Sequence, residues 1–134
     1  MTVEQGVKSK VKHFTDLTVW QKSHRLFVDI FREFDYIPQK IGVKIIIGQI
    51  SRSSGSISAN IAEGFNGLST KEYIRFLDIA LRGTAETENW IYKIIDCHLL
   101  KKEKATPWLD VCTEIQKMLQ SLIKNLGKGI NPNH

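Results

Sequence analysis

The sequence predicts an all-α protein, folded as an antiparallel up-down-up-down bundle of four helices. Four successive segments carry apolar residues at spacings of three and four, and none alternates convincingly as a half-buried strand does. Short connections join the segments, which favours antiparallel neighbours. The 134 residues therefore form one domain, which we divide into a flexible basic N-terminal tail (1–13), the four-helix bundle (14–126) and a C-terminal tail (127–134).

The first predicted helix runs from about Asp16, a suitable N-cap, to Tyr36, shortly before Pro38. It carries two adjacent apolar stripes at helical spacing. One consists of Leu17, Trp20, His24, Phe27, Phe31 and Phe34, and the other of Val19, Leu26 and Ile30. No motif links His24 to a carboxylate or nucleophile, so we interpret it as a packed histidine of the core or of an interface.

The second predicted helix runs from about Ile41 to Glu63, with Gly64 as its C-terminal cap. Its glycines and serines disfavour a helix, but the periodicity favours one, and packing often overrides propensity. One stripe is Ile47, Ile50, Ser54, Ile57 and Ile61, and the opposite one is Gly48, Arg52, Gly55, Ala59 and Ala62. We predict that helix backbones approach closely at Gly48, Gly55 and Ala59, because these residues are small.

The third predicted helix begins at a capping box, in which Ser69 and Glu72 satisfy each other's backbone donors. Its core stripe is unbroken and consists of Tyr73, Leu77, Ala80, Thr84, Thr87, Ile91, Ile94 and His98. The fourth helix is predicted to start at Thr106, with Pro107 in the first helical position, and to end at Gly127. Its core stripe consists of Trp108, Val111, Cys112, Ile115, Met118, Leu119, Leu122 and Leu126.

The first two helices carry apolar or small residues on more than one face. A monomeric four-helix bundle needs one core stripe per helix, so the additional surface requires another partner. We therefore predict that the chain forms a homo-oligomer.

No motif for catalysis, a cofactor or a metal is present. No glutamate precedes a histidine by three residues, as di-iron bundles require, and phosphate-loop and zinc motifs are absent. The longest apolar run, residues 41–50, is too short and polar to cross a membrane. Without an apolar signal core, a cytoplasmic location is expected, with Cys97 and Cys112 as free thiols. We interpret the adjacent Cys97 and His98 as a buried helix end.

Three polar residues lie near the predicted core and need partners. Glu88 lies at the edge of the third helix's stripe, where two interpretations stay open. It is either solvated or a buried carboxylate that pairs with Arg52 or bonds to Asn60, because an unpaired charge there would be costly.

The net charge of +5 and isoelectric point near 9.3 suggest a polyanionic partner. Much of the excess lies in the tails, since residues 14–126 carry fifteen bases and thirteen acids, a net charge of +2. Within the bundle, the candidate phosphate contacts are Lys22, Arg25, Lys71, Arg75, Arg82, Lys101 and Lys102. Solubility is the alternative role of each, but a homo-oligomer would repeat every basic patch.

Three stretches resemble the family of 23S rRNA intervening-sequence proteins: FTDLTVWQKSHRL, QISRSSGSISANIAEGF and STKEYIRFLDIALRGTAETE. The resemblance extends from about Phe14 to Leu126. It implies a bacterial, cytoplasmic four-helix bundle, often encoded within insertions in large-subunit ribosomal RNA genes, and assembled as a homopentamer. It also implies a relationship to the accessory variability proteins of diversity-generating retroelements, which bind nucleic acid and a reverse transcriptase. The family has no established catalytic residues.

These observations lead us to expect a non-enzymatic oligomer, without cofactor or membrane association. Its expected partners are copies of itself and structured RNA or DNA, which it would bind through repeated basic surfaces. The alternative is an interaction scaffold for a partner protein such as a reverse transcriptase.

Overall fold

The computed structural model describes residues 11–129, and within this range the chain is all-helical and contains no strand. Its four α-helices are α1 (Thr18–Glu33), α2 (Ile41–Phe65), α3 (Thr70–Asp96) and α4 (Lys102–Gly127). Each helix packs on the next, and α1 also contacts α4. Because the connections are only a few residues long, consecutive helices run antiparallel. The predicted all-α fold with four helices is confirmed.

A short 3₁₀ turn, Phe14–Asp16, precedes α1. The Asp16 carboxylate accepts hydrogen bonds from the backbone N–H groups of Lys12 and His13, and these bonds lower the pKa of its carboxyl group. The prediction of Asp16 as the N-cap of the first helix is therefore wrong, because Leu17 is the N-cap of α1 and Asp16 is the last residue of the preceding turn, whose own N-cap is His13. Val11 packs against the core, so the folded part begins earlier than residue 14. Residues 1–10 and 130–134 of the predicted tails lie outside the described residues.

The core side of α1 differs from the prediction. Its fully buried residues are Val19, Ser23, Leu26 and Ile30, which is the second predicted stripe completed by a serine. The aromatic stripe lies at the margin, and Phe31 is 59% exposed. The buried Ser23 hydroxyl donates to the Val19 carbonyl oxygen at 2.7 Å, which satisfies it inside its own helix. A small polar residue can therefore occupy a core position that the pattern of apolar residues does not reveal.

Helix α2 continues through Gly64, so this residue is not the predicted C-cap. Gly64 is buried within the helix, which ends at Phe65 with Asn66 as the C-cap. A Cβ atom added at Gly64 would lie 2.8 Å from Phe76 Cβ and 3.0 Å from Tyr73 Cδ1. The glycine is therefore needed for the close approach of α2 to the first turns of α3.

The predicted start of α3 agrees with the structure, whereas the predicted start of α4 does not. The Ser69 hydroxyl accepts a hydrogen bond from the Glu72 backbone N–H, which is one of the two hydrogen bonds of the predicted capping box. The start of α4 was predicted wrongly, because the helix begins at Lys102 and contains Pro107 in its interior. The fully buried Ala105 lies in this additional turn, so packing favours helix there despite the proline. The Thr106 hydroxyl donates to the Lys102 carbonyl oxygen within the helix instead of capping its start.

The connection between α3 and α4 exposes both Cys97 and His98, so the prediction of a buried helix end is wrong. His98 has a φ of 57°, the left-handed conformation that commonly ends a helix. Its backbone N–H donates to the Ile95 carbonyl oxygen, and that of Leu99 donates to the Ile94 carbonyl oxygen. These bonds satisfy the last carbonyl groups of α3 and turn the chain toward α4.

The core is filled by branched aliphatic side chains from all four helices. The fully buried members include Leu26, Ile30, Ile50, Ile57, Ile61, Leu77, Ile91, Ile94, Ile115 and Leu119. Buried hydroxyl groups join α2 to α3, since Thr87 Oγ1 donates to Ser53 Oγ at 3.0 Å. Ser54 and Thr84 donate to carbonyl oxygens of their own helices. The serines of α2 therefore belong to a packed and satisfied interface.

The two cysteines are expected to react very differently with a thiol reagent such as Ellman's reagent. Cys112 is buried, and this burial, with a smaller contribution from the Glu88 carboxylate, raises the pKa of its thiol to about 12. Because the thiolate is the reactive form, Cys112 stays inert in the native protein up to about pH 10. Cys97 is exposed and is expected to react. Native Cys97→Ser should then show no reaction until it is denatured, and a reactive thiol in the native variant would contradict this assignment.

Candidate nucleic-acid interface

The middle of the bundle is electrically balanced by ion pairs. Residues 18–31, 45–62, 76–95 and 105–123 together carry six bases and six acids. The pairs there are Lys22–Glu114, Arg25–Asp29, Arg52–Glu86 and Arg82–Asp78. The excess positive charge of the described chain consequently lies at the two ends of the bundle.

One end, which we call the connection end, contains residues 32–44 and 96–104, with six bases and four acids. The other, which we call the terminal end, contains residues 11–17, 63–75 and 124–129, with five bases and three acids. Each end therefore carries a net charge of +2. Helix α3 alone has 27 residues and is about 40 Å long, so the two ends form separate surfaces.

The seven predicted phosphate contacts divide according to this pattern. Lys22, Arg25 and Arg82 lie in the balanced middle, and each forms an ion pair with a carboxylate. Such exposed pairs contribute at most about 1 kcal/mol to stability. They nevertheless place a negative charge beside each cation, which weakens its attraction for phosphate.

The other four predicted contacts form no ion pair among the described residues. Lys71 and Arg75 lie on the first turns of α3 at the terminal end, where the Arg75 guanidinium lies 4.5 Å from the centre of the Phe76 ring. Lys101 and Lys102 lie at the start of α4, at the connection end. The structure therefore separates these candidates into two pairs and does not bring all seven together.

An ion pair joins the two segments of the connection end. Lys104 Nζ lies 3.2 Å from Glu33 Oε1, which links the start of α4 to the end of α1. An open depression of about 550 Å³ lies at the connection between α3 and α4, and it is lined by Ile95, Asp96, His98, Leu100, Lys101 and Lys102. Cations and an open surface therefore occur together at this end.

Three residues of the connection end were not among the predicted contacts. Lys40 is the N-cap residue of α2 and Lys44 lies in its first turn, and both are exposed. Tyr36 closes the 3₁₀ turn Phe34–Tyr36 and is 80% exposed. The signal that could have revealed them is an aromatic residue shortly before Pro38, followed by lysine at a helix entry.

The predicted polar network of Arg52, Asn60 and Glu88 has different partners from those expected. Arg52 pairs with Glu86 and also donates to the Gln49 side chain. Asn60 donates to the Ser56 carbonyl oxygen of its own helix, at 2.7 Å.

Glu88 is partly buried and accepts a hydrogen bond from Gln116 Nε2 at 3.4 Å, so it interacts with α4. Neither predicted partner of Glu88 is the observed one. Arg52 pairs instead with Glu86, which lies two residues before Glu88 on the same helix.

Close packing of small residues occurs at only one of the three predicted positions within the chain. A Cβ atom at Gly55 would lie 3.5 Å from the Phe27 ring, so α1 packs against α2 there. Gly48 has no neighbouring atom within 4 Å of such a Cβ atom, and Ala59 is exposed. Gly83 was not among the predicted positions, but a Cβ atom there would lie 2.8 Å from Ser56 Oγ. Contact of Gly48 and Ala59 with another subunit stays a prediction.

An apolar surface of α1 and α2 is uncovered in the single chain. We call it the α1/α2 face and define it by Phe31, Ile41, Ile45, Gly48 and Ala59, of which Ile41 is 83% and Ile45 63% exposed. Next to it, the Trp20 and His24 rings are stacked with centroids 4.7 Å apart, and His24 is exposed. The prediction of a core position for His24 is therefore wrong, while an interface position stays a prediction.

The described residues offer no assembled centre of another kind. No helix within residues 11–129 has the length and apolar character required for a membrane crossing. Among the same residues, no three side chains of His, Cys, Asp or Glu come together in an arrangement that could hold a metal ion.

The fold and surface define a class of protein: an all-α four-helix bundle that has, among the described residues, cations without an ion pair at both ends and an uncovered apolar face. The chain belongs to the 23S rRNA-intervening sequence protein family, whose model matches residues 15–121. It is also similar to the crystal structure of a protein of unknown function from the S23 ribosomal protein family of Bacteroides thetaiotaomicron. The two are 32% identical with a TM-score of 0.72, over 80% of this chain and 99% of that chain. No curated protein matches this sequence.

Proposed function

We propose that this protein is a non-enzymatic homo-oligomer that binds structured nucleic acid through cations at the ends of each bundle. The observation that carries the proposal is the division of the basic residues. Four of the six cations in the middle pair with carboxylates, whereas Lys71, Arg75, Lys101 and Lys102 form no ion pair among the described residues. When surface cations of a protein contact phosphates, they displace the counterions that are condensed on the nucleic acid. The release of these counterions is the main source of nonspecific affinity.

Assembly is part of the proposal because one chain has too little charge for strong binding. A net charge of +2 at each end provides only a few phosphate contacts. The α1/α2 face gives the chain an apolar surface with which copies can associate. An oligomer would repeat both ends around its axis, and five copies, as the family resemblance implies, would repeat each end five times.

Charge neutralisation at paired and unpaired positions tests this function. Lys71→Gln with Lys101→Gln removes two unpaired cations, and Arg25→Gln with Arg82→Gln removes two paired ones, so both variants lose the same net charge. Binding to a 23S rRNA fragment is measured by fluorescence anisotropy over about 50–200 mM salt. We expect the first variant to reduce the slope of log affinity against log salt by about 1–2 per chain, since each phosphate contact contributes about 0.7–0.9.

The second variant is expected to keep the slope of the unmodified protein. If both variants changed the slope equally, net charge alone would determine binding, and the proposed role of unpaired cations would be wrong. If the unmodified protein bound no RNA or DNA at micromolar concentration, the proposed function would be wrong as a whole.

The α1/α2 face also supports a second candidate function, an interaction scaffold for a partner protein such as a polymerase. An uncovered apolar surface of this kind suits protein association as well as self-assembly. The two candidates differ in their dependence on nucleic acid. A scaffold would retain a purified partner protein after nuclease treatment. A nucleic-acid-binding protein would release any protein that is attached to it only through nucleic acid.

A further inference from the structure

The two ends of the bundle differ in their aromatic residues, although their net charges are equal. Among the described residues, the large apolar side chain exposed at the terminal end is Leu68, an aliphatic one. At the connection end, Tyr36 is 80% exposed in the connection between α1 and α2. A ring that is so exposed contributes little packing energy to the core. The buried residue of this connection is Ile37.

The connection end has exposed lysines at the starts of two helices, α2 and α4. Lys40 is the N-cap residue of α2 and Lys44 lies in the first turn of this helix, and both lysines are exposed. Lys101 and Lys102 begin α4, whose first turns are linked to α1 by the ion pair of Lys104 with Glu33. That pair neutralises one acid of the end. The remaining acids there are Asp35, Asp96 and Glu103, against these four lysines and Arg32.

A base-stacking ring among cations is the arrangement that recognises unpaired nucleotides. The lysines contact phosphates, which every nucleic acid offers, whereas an exposed ring can stack only on a base that has left the helical stack. The phosphates of a double helix could contact the lysines, but its bases are already stacked on one another and could not stack on Tyr36. The connection end therefore suits a single strand better than a duplex.

We propose that the connection end binds an unpaired stretch of nucleic acid, with Tyr36 stacking on a base and Lys40, Lys44, Lys101 and Lys102 contacting its phosphates. This inference rests on the proposed function and assigns it to one end of the bundle and to single-stranded segments, such as the loops of a folded RNA. The terminal end then contacts phosphates of paired segments and does not contact the single strand.

The experiment compares variants of the two ends with one single-stranded probe. The probe is a fluorescein-labelled oligouridylate of about 20 nucleotides, with a matched self-complementary RNA duplex as the second probe. Tyr36→Ala is expected to weaken binding to the single strand by about 5- to 150-fold and to leave duplex binding unchanged. Tyr36→Phe keeps the ring and is expected to bind like the unmodified protein.

The lysines are tested by Lys101→Gln with Lys102→Gln, and the matched control is Lys71→Gln with Arg75→Gln at the terminal end. For the single strand, the first variant should reduce the slope of log affinity against log salt by about 1.4. The control should leave this slope unchanged. All these side chains are exposed, so the thermal unfolding of each variant should match that of the unmodified protein.

The failures of the two proposals are distinguishable. Single-strand binding that is insensitive to Tyr36→Ala, or equally sensitive to Tyr36→Ala and Tyr36→Phe, overturns the stacking role and leaves the proposed function intact. A slope that changes only in the terminal-end control overturns the assignment to the connection end. Failure of the unmodified protein to bind either probe overturns both proposals together.

Discussion

Replacing Gly64 by alanine is expected to destabilise the protein, although alanine is the better helix former. A Cβ atom there would lie 2.8 Å from Phe76 Cβ and 3.2 Å from the Tyr73 carbonyl oxygen, atoms that cannot turn away by changing a rotamer. Relieving the overlap requires α2 and α3 to move apart, and overpacking of this kind costs about 1–3 kcal/mol. The gain in helix propensity is only about 0.5–1 kcal/mol, so the free energy of unfolding should fall by about 1–2 kcal/mol.

Gly42→Ala provides the matched control, because Gly42 also lies in α2 and a Cβ atom there has no neighbour within 4 Å. This variant should be neutral or stabilised by up to about 1 kcal/mol. Urea unfolding followed by circular dichroism measures both changes. A Gly64→Ala protein as stable as Gly42→Ala would show that the two helices are not closely packed at Gly64.

Introducing a glutamate at Ile45 is expected to convert the proposed oligomer into folded monomers. Ile45 is 63% exposed on the α1/α2 face, so a charged side chain there disturbs little inside one chain. In an assembled interface, the same carboxylate would be buried without a partner, which costs several kcal/mol at each contact. A closed ring repeats that cost at every interface, so dissociation should be complete at micromolar concentration.

Sedimentation or light scattering gives the mass, and circular dichroism shows that the monomer is still folded. Leu68→Glu is the matched control, because Leu68 is 98% exposed but lies in the α2–α3 connection, away from the α1/α2 face. It should assemble like the unmodified protein. Equal masses for Ile45→Glu and the unmodified protein would exclude this part of the face from the interface, and a monomeric unmodified protein would refute the oligomer itself.

The helices were predictable from sequence because their periodicity is strong. The core stripe of α3 is buried from Leu77 to Ile94 as predicted, and α2 forms despite its glycines and serines. Their hydroxyl groups bond within the helix or across to α3, which removes the cost of burying them. Periodicity reports such burial even where propensity argues against a helix.

The errors arose where a residue has two possible roles that only the packing decides. Gly64 is typical of a helix end, but it lies inside α2 because Tyr73 and Phe76 approach it. Pro107 is typical of a helix start, but the burial of Ala105 extends α4 by more than a turn before it. Neither contact is visible in the local sequence.

The candidate interface was only partly predictable for a related reason. The sequence identifies basic residues, but it does not show which carboxylates lie beside them in space. Lys22 illustrates this, since its partner Glu114 lies on another helix, 92 residues away in the chain. Tyr36 was missed because exposure, and not residue type, distinguishes it from the buried Ile37 that follows.

The most direct test of the central claim is the salt dependence of RNA binding by the unmodified protein. If unpaired cations at the bundle ends carry the interaction, log affinity for a 23S rRNA fragment should fall linearly with log salt. The four lysines of the connection end alone predict a slope of about −3 for each engaged chain, since each contact to a single strand contributes about −0.7, and contacts at the terminal end would make the slope steeper. Binding whose affinity did not change with salt, or no binding at about 50 mM salt, would contradict the account.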